Sequence, residues 1–482
     1  MLRFFKDFLI YGFASTLGKL AALFLMPLYT SILSQEEYGV MAMLLSVKGI
    51  IDLLSNLNIH SGISRDYYEE GINRKTLVST GLWSILSLSI TIMVFMLVSR
   101  TFWTNRVLGI GGYTSAFVLV MLTIPAGSLQ SYFAILTRYK KKPVLFSVGT
   151  LICLAIQLTI AITSVVKLGW GINGIFLGTF VSELFGICFF SIVNKEYIGL
   201  SFNKEYLKRA LLFALPTLPA VAAGWIDSSL GQILIGKNVS LDDLGVYSVS
   251  LQFASAFTLI STAFGNVWSP FLYENYKTPF FEEQIKKLFV LFVSILMVVS
   301  MGLSLFSKEI ILIFANPTYL KAGEYLTLLC IPMSFYVLFP IASSGISISR
   351  DTKYTGIAYV AGSVVNVLML LIALPYWGVL SVPLSLLLSR ITAYTIMYTV
   401  TVKKKLYGQL PNGILFLLIG VVLLSLLLIK LSIPLYGRII VFVGLCGLLY
   451  FILDKSIGLT AFAQSLKKGL QIKLNNRTNE KQ

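Results

Sequence analysis

Long apolar runs separated by short polar segments alternate along the whole chain. A helix needs about 20 mostly apolar residues to span a membrane, and fourteen runs come close to that length. They lie near residues 8–33, 40–63, 77–99, 114–137, 144–166, 170–193, 210–235, 245–271, 288–306, 323–349, 355–375, 379–402, 412–432 and 436–453. The pattern predicts an all-α polytopic membrane protein with about 14 transmembrane helices.

The composition supports a membrane protein, because 56% of the 482 residues are hydrophobic and only 12% are charged. A water-soluble surface needs considerably more charge than this. The polar connections are mostly short, as is typical of links between packed helices. They leave no room for a soluble catalytic domain. The first run continues into the polytopic pattern, which favours a membrane span over a cleaved signal peptide.

A short acidic motif occurs twice, at residues 34–40 (SQEEYGV) and again 206 residues later at 240–246 (SLDDLGV). Two further pairs of short motifs recur at offsets of 207 and 205 residues, which indicates two homologous halves. Six predicted spans separate the copies, so both halves cross the membrane in the same sense. We predict two pseudo-symmetric six-helix lobes at 1–205 and 206–405, two additional helices at 406–454 and a basic tail at 455–482.

The net charge of +17 is explained by topology and does not indicate a nucleic-acid partner. If the N-terminus is cytoplasmic, cytoplasmic segments hold 27 of the 38 lysines and arginines, and the opposite side holds only 8. Cytoplasmic enrichment in Lys and Arg is the usual orientation signal of membrane proteins. Both termini are therefore predicted to be cytoplasmic. The four cysteines all lie in apolar runs without close spacing, so neither disulfides nor a zinc site are expected.

Six charged residues lie deep within predicted spans, where charges are costly and usually face a protein interior or a wet cavity. They are Lys19, Lys48, Asp52, Glu183, Asp227 and Arg390. Lys48 and Asp52 are one helical turn apart and can pair. Glu183 and Arg390 occupy repeat-equivalent positions, 207 residues apart, and are a second possible pair. These groups either form structural ion pairs or line a hydrated cavity that binds a ligand.

Four motifs in this order resemble those of the polysaccharide-biosynthesis flippases, the O-antigen and exopolysaccharide exporters of the multidrug/oligosaccharidyl-lipid/polysaccharide (MOP) superfamily. They are residues 33–39 (LSQEEYG), 62–69 (GISRDYYE), 215–219 (LPTLP) and 233–248, which begins ILIGK and ends GVYS. The resemblance implies a V-shaped arrangement of two six-helix lobes with two further helices. It also implies movement of undecaprenyl-pyrophosphate-linked sugars from the inner to the outer leaflet.

The charges are compatible with that substrate, because a pyrophosphate in a low-dielectric cavity needs cationic partners. We expect Lys19, Lys48, Asp52, Arg65 and Arg390 to contact the pyrophosphate or the glycan. Asp227 and Glu183 are candidates for coupling transport to H+ or Na+. We expect no catalytic residue, no metal site and no resident cofactor.

The sequence therefore predicts a non-enzymatic, alternating-access flippase in the bacterial inner membrane, with lipid-linked oligosaccharide and membrane lipids as partners. A polysaccharide polymerase and other assembly proteins are further possible partners. Two alternatives remain within the superfamily: a cation-coupled multidrug antiporter that uses Asp227 or Glu183, and a peptidoglycan lipid-precursor flippase. The deep charges sum to zero, which favours a sugar-repeat substrate over the peptidoglycan precursor. A membrane-embedded polymerase or glycosyltransferase would need a larger loop with catalytic acids.

Overall fold

A computed structural model describes residues 18, 21–404, 408–431 and 433–457, and within this part every regular element is helical. The predicted all-α fold is confirmed. The helices are α1 (Ala21–Ile32), α2 (Gln35–Asn56), α3 (Ile59–Asp66), α4 (Arg74–Val98), α5 (Thr114–Tyr139), α6 (Pro143–Ile162), α7 (Gly171–Val193), α8 (Lys204–Ala214), α9 (Leu218–Trp225), α10 (Gly231–Asn238) and α11 (Leu241–Ala254). They continue with α12 (Ala256–Asn275), α13 (Phe281–Leu305), α14 (Ser307–Phe314), α15 (Ala322–Val337), α16 (Phe339–Ala342), α17 (Ser344–Ser349), α18 (Lys353–Trp377), α19 (Ser381–Lys403), α20 (Gly413–Lys430) and α21 (Leu435–Ile457). The predicted tail lies almost entirely outside the described residues.

Eleven helical segments of the described chain are long and apolar enough to cross a membrane, and two shorter apolar helices, Ala21–Ile32 and Leu435–Phe451, accompany them. One of the eleven, Lys353–Lys403, has 51 residues and is divided by the 3-10 turn Gly378–Leu380. At 1.5 Å per residue it would measure about 77 Å, more than twice the hydrocarbon thickness of about 30 Å. If this segment is counted as two spans and the two shorter apolar helices are included, the total is the fourteen spans that the sequence predicts. The exact number of spans stays a prediction.

The repeated acidic motif forms the start of a helix in both copies. The Ser34 hydroxyl accepts a hydrogen bond from the Glu37 backbone N–H at 3.1 Å, and the Glu37 carboxylate accepts one from the Ser34 N–H at 3.0 Å. In the second copy, the Ser240 hydroxyl accepts from the Asp243 N–H at 3.0 Å. Such capping satisfies backbone donors that have no partner within the helix. The repeated acids are thus explained locally, because they begin α2 and α11.

The glycines of the two motifs let α2 and α11 touch along their backbones. A Cβ atom on Gly39 would lie 1.9 Å from the Leu241 carbonyl oxygen, and one on Gly245 would lie 2.1 Å from the Gln35 carbonyl oxygen. The contact is reciprocal, because Leu241 and Gly245 are the repeat equivalents of Gln35 and Gly39. Small residues at such crossings allow membrane helices to approach closely. We call these four residues the glycine contact.

The described residues pack into two compact units. Unit 1 contains the residues up to Ser255 together with Ile311–Ala322 and Lys353–Ala393. Unit 2 contains Ala256–Ile310, Gly323–Thr352 and the residues from Tyr394 onward. The division of the sequence into lobes at 205 and 405 stays a prediction. The candidate site residues that the structure describes all belong to unit 1.

A buried cluster of side chains from α3, α4, α5, α7 and α8 forms one core of unit 1. Ile59 and Ile63 anchor α3 in it, each only 2% exposed. Gly62 brings α3 against the backbone of Ala210 in α8, because a Cβ atom there would lie 2.4 Å from the Ala210 carbonyl oxygen. With one face of α3 held in this way, its last turn presents Arg65 at the surface of the unit.

Candidate functional site

Six of the seven predicted site residues lie in the described part of unit 1, and the seventh, Lys19, falls outside the described residues. The six form two buried charged clusters and one exposed cation. The first cluster contains Lys48, Asp52 and Glu183; the second contains Asp227 and Arg390; the exposed cation is Arg65.

The first cluster, the Lys48 triad, joins α2 to α7. The Lys48 ammonium lies 2.9 Å and 3.2 Å from the two carboxylate oxygens of Asp52, so the predicted pair within α2 is confirmed. It also lies 3.8 Å from Glu183 Oε1. Gly127 of α5 leaves room for this approach, because a Cβ atom there would lie 2.8 Å from Glu183 Oε1. The alternative pairing of Glu183 with Arg390 is wrong, since Glu183 contacts Lys48.

The Lys48 triad is not balanced in charge, because one ammonium faces two carboxylates. At 3.8 Å and an effective dielectric of about 20, the Lys48–Glu183 attraction is about 4 kcal/mol. Burying an ion costs several kcal/mol, and an ammonium shared with the partly exposed Asp52 does not fully compensate for the buried Glu183 carboxylate. Glu183 Oε2 is buried and has no hydrogen-bond partner among the described residues. The arrangement is therefore suited to binding one more positive charge.

The second cluster, the Asp227 site, is balanced in charge and fully hydrogen-bonded on its carboxylate. Arg390 Nη1 lies 3.2 Å from Asp227 Oδ2, and the Asp227 side chain is only 2% exposed. The Asn366 amide donates to Oδ1 at 3.0 Å, and the Ser389 hydroxyl donates to both oxygens at 3.1 and 3.2 Å. The Ser363 hydroxyl lies 3.2 Å from Oδ1. A buried ion pair with this many partners is held rigidly.

Sequence reasoning identified Asp227 and Arg390 but missed the partners that join them. Ser363 and Asn366 lie on α18, one turn apart, and Asn366 stands alone as an amide within an apolar run. A buried amide in such a run is a usable signal, because it needs a polar partner. Asp227 itself lies in a π-helical turn, Ile226–Leu230, between α9 and α10. Such local widening of a helix is frequent at functional sites.

Trp225, the last residue of α9, connects the segment that carries Asp227 to α2, the helix that carries Lys48. Its indole N–H donates a hydrogen bond to the Ser46 carbonyl of α2 at 2.9 Å. Gly49 of α2 makes space for the ring, because a Cβ atom there would lie 3.1 Å from the indole. Since the contact lies within one turn of Lys48, α2 is bonded on one side to Trp225 and on another to Glu183.

Arg65 differs from the other predicted cations because it is exposed and forms no ion pair with a carboxylate of the described chain. Its guanidinium lies over the Phe213 ring, 5.3 Å from the ring centre. A cation–π contact of this kind orients the side chain without neutralising its charge. Arg65 is therefore available to an anionic ligand.

Lys140, unlike Arg65, is paired with a carboxylate and stabilises the end of α7. Its ammonium lies 2.9 Å from Glu196 and donates to the Val193 carbonyl at 2.8 Å. The hydrogen bond from Lys140 to Glu196 lowers the pKa of the Glu196 carboxyl below its ordinary value. Arg138, in contrast, lies over the Phe146 ring at 5.2 Å. Among the described residues there is no group of three or more His, Cys, Asp and Glu side chains that could hold a metal ion.

A family model described as polysaccharide biosynthesis protein matches residues 30–314 of the chain. This match covers more than half of the sequence and includes both copies of the acidic motif. The resemblance that the motifs indicated is confirmed. No curated protein sequence matches the chain.

Solved structures of membrane transporters have a similar fold. The lipid II flippase MurJ in an inward closed conformation is 14% identical with a TM-score of 0.73, covering 96% of this chain and 99% of its own. An inward-facing multidrug resistance MATE family transporter of the MOP superfamily is also 14% identical, with a TM-score of 0.63 over 82% of this chain and 94% of its own. An outward-facing conformation of such a transporter is 16% identical, with a TM-score of 0.54 over 83% and 94%. The chain thus has the fold of MurJ and the MATE transporters and is a multi-pass membrane protein.

Proposed function

Because the chain belongs to the family of polysaccharide biosynthesis proteins, we propose that it is a flippase for undecaprenyl-pyrophosphate-linked oligosaccharide repeat units. It moves them from the cytoplasmic to the outer leaflet by alternating access, without chemical change, for assembly of a surface polysaccharide. The observation that carries this proposal is the family match over residues 30–314 on a chain with a MurJ-like fold.

The substrate requires a cationic entrance, because its pyrophosphate carries two negative charges that must leave water for a low-dielectric cavity. Arg65 fits this role best, since it is exposed, oriented by Phe213 and not paired with a described carboxylate. Lys48 and Arg390 are held by carboxylates and would reach the substrate only when those pairs open. For Lys19, we propose the role that the sequence indicates, which is contact with the pyrophosphate or the glycan.

The proposed setting is the bacterial inner membrane, with both termini cytoplasmic as the distribution of Lys and Arg predicts. The partners are the lipid-linked oligosaccharide, the surrounding lipids and a polysaccharide polymerase with other assembly proteins. No nucleic acid is involved and no resident cofactor is needed. Transport against a gradient would instead draw on a coupled ion, H+ or Na+.

Two alternative functions share this fold. The similarity to MurJ over 96% of the chain favours a peptidoglycan lipid-precursor flippase as the second candidate. Against it, the deep charges of the sequence sum to zero, whereas a more cationic cavity would suit that precursor. A cation-coupled multidrug antiporter is the third candidate, and it would depend on Asp227 or Glu183 more than on Lys19 or Arg65.

A deletion strain complemented with variants tests the proposal. Deleting the gene should abolish surface polysaccharide and cause lipid-linked repeat units to accumulate. Arg65→Ala should lower export about tenfold or more, since a hydrogen bond to a charged group contributes about 1.5–3 kcal/mol. Arg65→Lys should retain part of the export, because it keeps the charge but not the planar fork.

The matched control is Lys287→Ala, which removes an exposed cation paired with Glu283 and should leave export unchanged. Normal surface polysaccharide in the deletion strain would overturn the proposal. Increased drug sensitivity with normal polysaccharide would identify the multidrug antiporter. Lys19→Ala separates the two further, because a drug exporter should keep much of its activity without that charge.

A further inference from the structure

We propose that Glu183 binds the proton that drives transport, and that its protonation releases α7 from α2. This inference rests on the proposed function where it says what the proton drives, namely export of the lipid-linked oligosaccharide. The assignment of the proton to Glu183 does not depend on the substrate. It also separates the two carboxylates that the sequence left as equal candidates, because it assigns the proton to Glu183 and a structural role to Asp227.

The two sites differ in how their carboxylates are satisfied. Asp227 is paired with the Arg390 guanidinium and accepts hydrogen bonds from the Asn366 amide and the Ser389 hydroxyl, so its charge is already compensated. Within the part of the chain that the structure describes, Glu183 has one distant ammonium, shared with Asp52, and a buried oxygen without a hydrogen-bond partner. A group in the second situation is stabilised by taking up a cation, and a group in the first is not.

Within the Lys48 triad, Glu183 is the group that accepts the proton. Asp52 keeps two contacts with Lys48, at 2.9 and 3.2 Å, and its side chain is 34% exposed. Glu183 approaches Lys48 with one oxygen only, at 3.8 Å, and its side chain is only 11% exposed. When the proton binds Oε2, Glu183 becomes neutral and the triad changes from a net charge of −1 to zero. Lys48 then remains paired with Asp52 alone.

The surroundings favour a proton over a sodium ion. Among the described residues, the titratable and charged groups that face Glu183 are Lys48 and Asp52 from α2 and the thiol of Cys153 from α6. On α5, Gly127 faces Glu183 directly and carries no ligand atom on a side chain, while the Gln130 amide lies against Gly186, one turn further along α7. A sodium ion needs several oxygen ligands, and here the Lys48 ammonium would repel it from the carboxylate at close range. A proton needs only one lone pair.

The proton site is linked mechanically to the glycine contact through α2. Lys48 lies nine residues from Gly39 on the same helix, a distance of about 14 Å at 1.5 Å per residue. The ionised triad attaches the middle of α2 to α7, while the glycine contact attaches its start to α11. Protonation of Glu183 removes the first attachment, so α2 can shift relative to α7 while it keeps the hydrogen bond from Trp225 and the glycine contact. The free energy of protonating Glu183 is thus coupled to the position of α2, the helix that also carries Gly39 of the glycine contact.

Infrared titration of the full-length protein in lipid nanodiscs tests the proton site directly. From about pH 5 to about pH 9, where buried carboxyl groups can titrate, the wild-type protein should show the carbonyl band of a protonated acid that disappears as the pH rises. Glu183→Gln should lose the equivalent of one carboxyl group from this band, and Asp227→Asn should retain it. Labelling glutamate with carbon-13 at its carboxyl group should shift the wild-type band, a readout that needs no variant.

Three results would overturn the inference. They are an unchanged band in Glu183→Gln, a wild-type band that does not shift with labelled glutamate, and a titration that moves when choline chloride is replaced by sodium chloride. In cells, export by the wild-type protein should depend on external pH and export by Glu183→Gln should not; equal pH dependence would also contradict the inference. Normal polysaccharide in the deletion strain would refute the proposed function alone, because the infrared band does not depend on the substrate.

Discussion

Replacing either glycine of the glycine contact with alanine should push α2 and α11 apart. A contact between a Cβ atom and a carbonyl oxygen is at least about 3.0 Å, but the Gly39 position allows 1.9 Å and the Gly245 position 2.1 Å. The helices would have to separate by about 1.1 Å in Gly39→Ala and about 0.9 Å in Gly245→Ala. Neither carbonyl can rotate away, because both belong to helical backbone.

The energetic effect follows from these distances. Overpacking of this kind typically costs 1–3 kcal/mol, which would reduce the population of the packed conformer relative to the separated one by a factor of about 5–150. Helix propensity acts in the opposite direction, since alanine favours a helix over glycine by up to about 1 kcal/mol. A separated contact in the variants would therefore reflect the clash and not a weakened helix.

Spin labels placed across the contact can measure this change. Glu36→Cys and Asp242→Cys are exposed positions on the two helices, and the four native cysteines would be replaced. Pulsed electron double resonance in nanodiscs should show one short distance in the background protein. A longer distance should appear in Gly39→Ala and Gly245→Ala. The double variant should be less affected than the sum, because one separation relieves both clashes.

The matched control is Gly420→Ala in α20, where a Cβ atom would meet nothing within 4 Å. It should leave the distance distribution unchanged. If the single variants fold and keep the short distance, or if Gly420→Ala produces the same long distance, the reasoning from backbone contact is wrong.

Three further predictions concern local interactions. Arg390→Gln should cost about 3–5 kcal/mol by leaving Asp227 buried and unpaired; thermal unfolding should detect the loss, and adding Asp227→Asn should restore part of it. Ser34→Ala should cost about 1 kcal/mol, with faster hydrogen exchange confined to the first turn of α2. Because the hydrogen bond from Lys140 lowers the pKa of Glu196 in the folded protein, its contribution to stability is present above the unfolded pKa and disappears as the pH falls through the folded pKa. The difference in melting temperature between wild type and Glu196→Gln should therefore be present at neutral pH and vanish in acid.

Local features of the structure could be predicted from the sequence because they depend on neighbours along the chain. Apolar runs of span length became helices, and the pairing of Lys48 with Asp52 followed from their spacing of four residues. Sequence reasoning used the acidic motifs only as evidence of a repeat, but the helix starts that they form are equally local, because Ser followed by an acid three residues later is a capping pattern. In each case the chemistry is complete within one or two helical turns.

Contacts between distant helices could not be predicted in the same way. Asp227 meets Arg390 across 163 positions of the chain; of the groups that complete its site, Ser389 shares α19 with Arg390 and Asn366 lies on α18. The equivalent positions of Glu183 and Arg390 in the two halves suggested that they form an ion pair. Two copies of a repeat, however, place equivalent residues in similar surroundings within each copy and do not bring them into contact. Equivalent residues meet only near a two-fold axis, as Gly39 and Gly245 do.

The indole of Trp225 provides the protein with its own optical reporter. Its N–H bond to the Ser46 carbonyl and its close fit against Gly49 place a fluorophore at the junction of α9 and α2. Replacing the other five of the six tryptophans with phenylalanine would leave one emitter whose spectrum shifts to longer wavelength whenever water enters that junction. Stopped-flow fluorescence of this single-tryptophan protein could then follow helix movement in real time, without any attached dye.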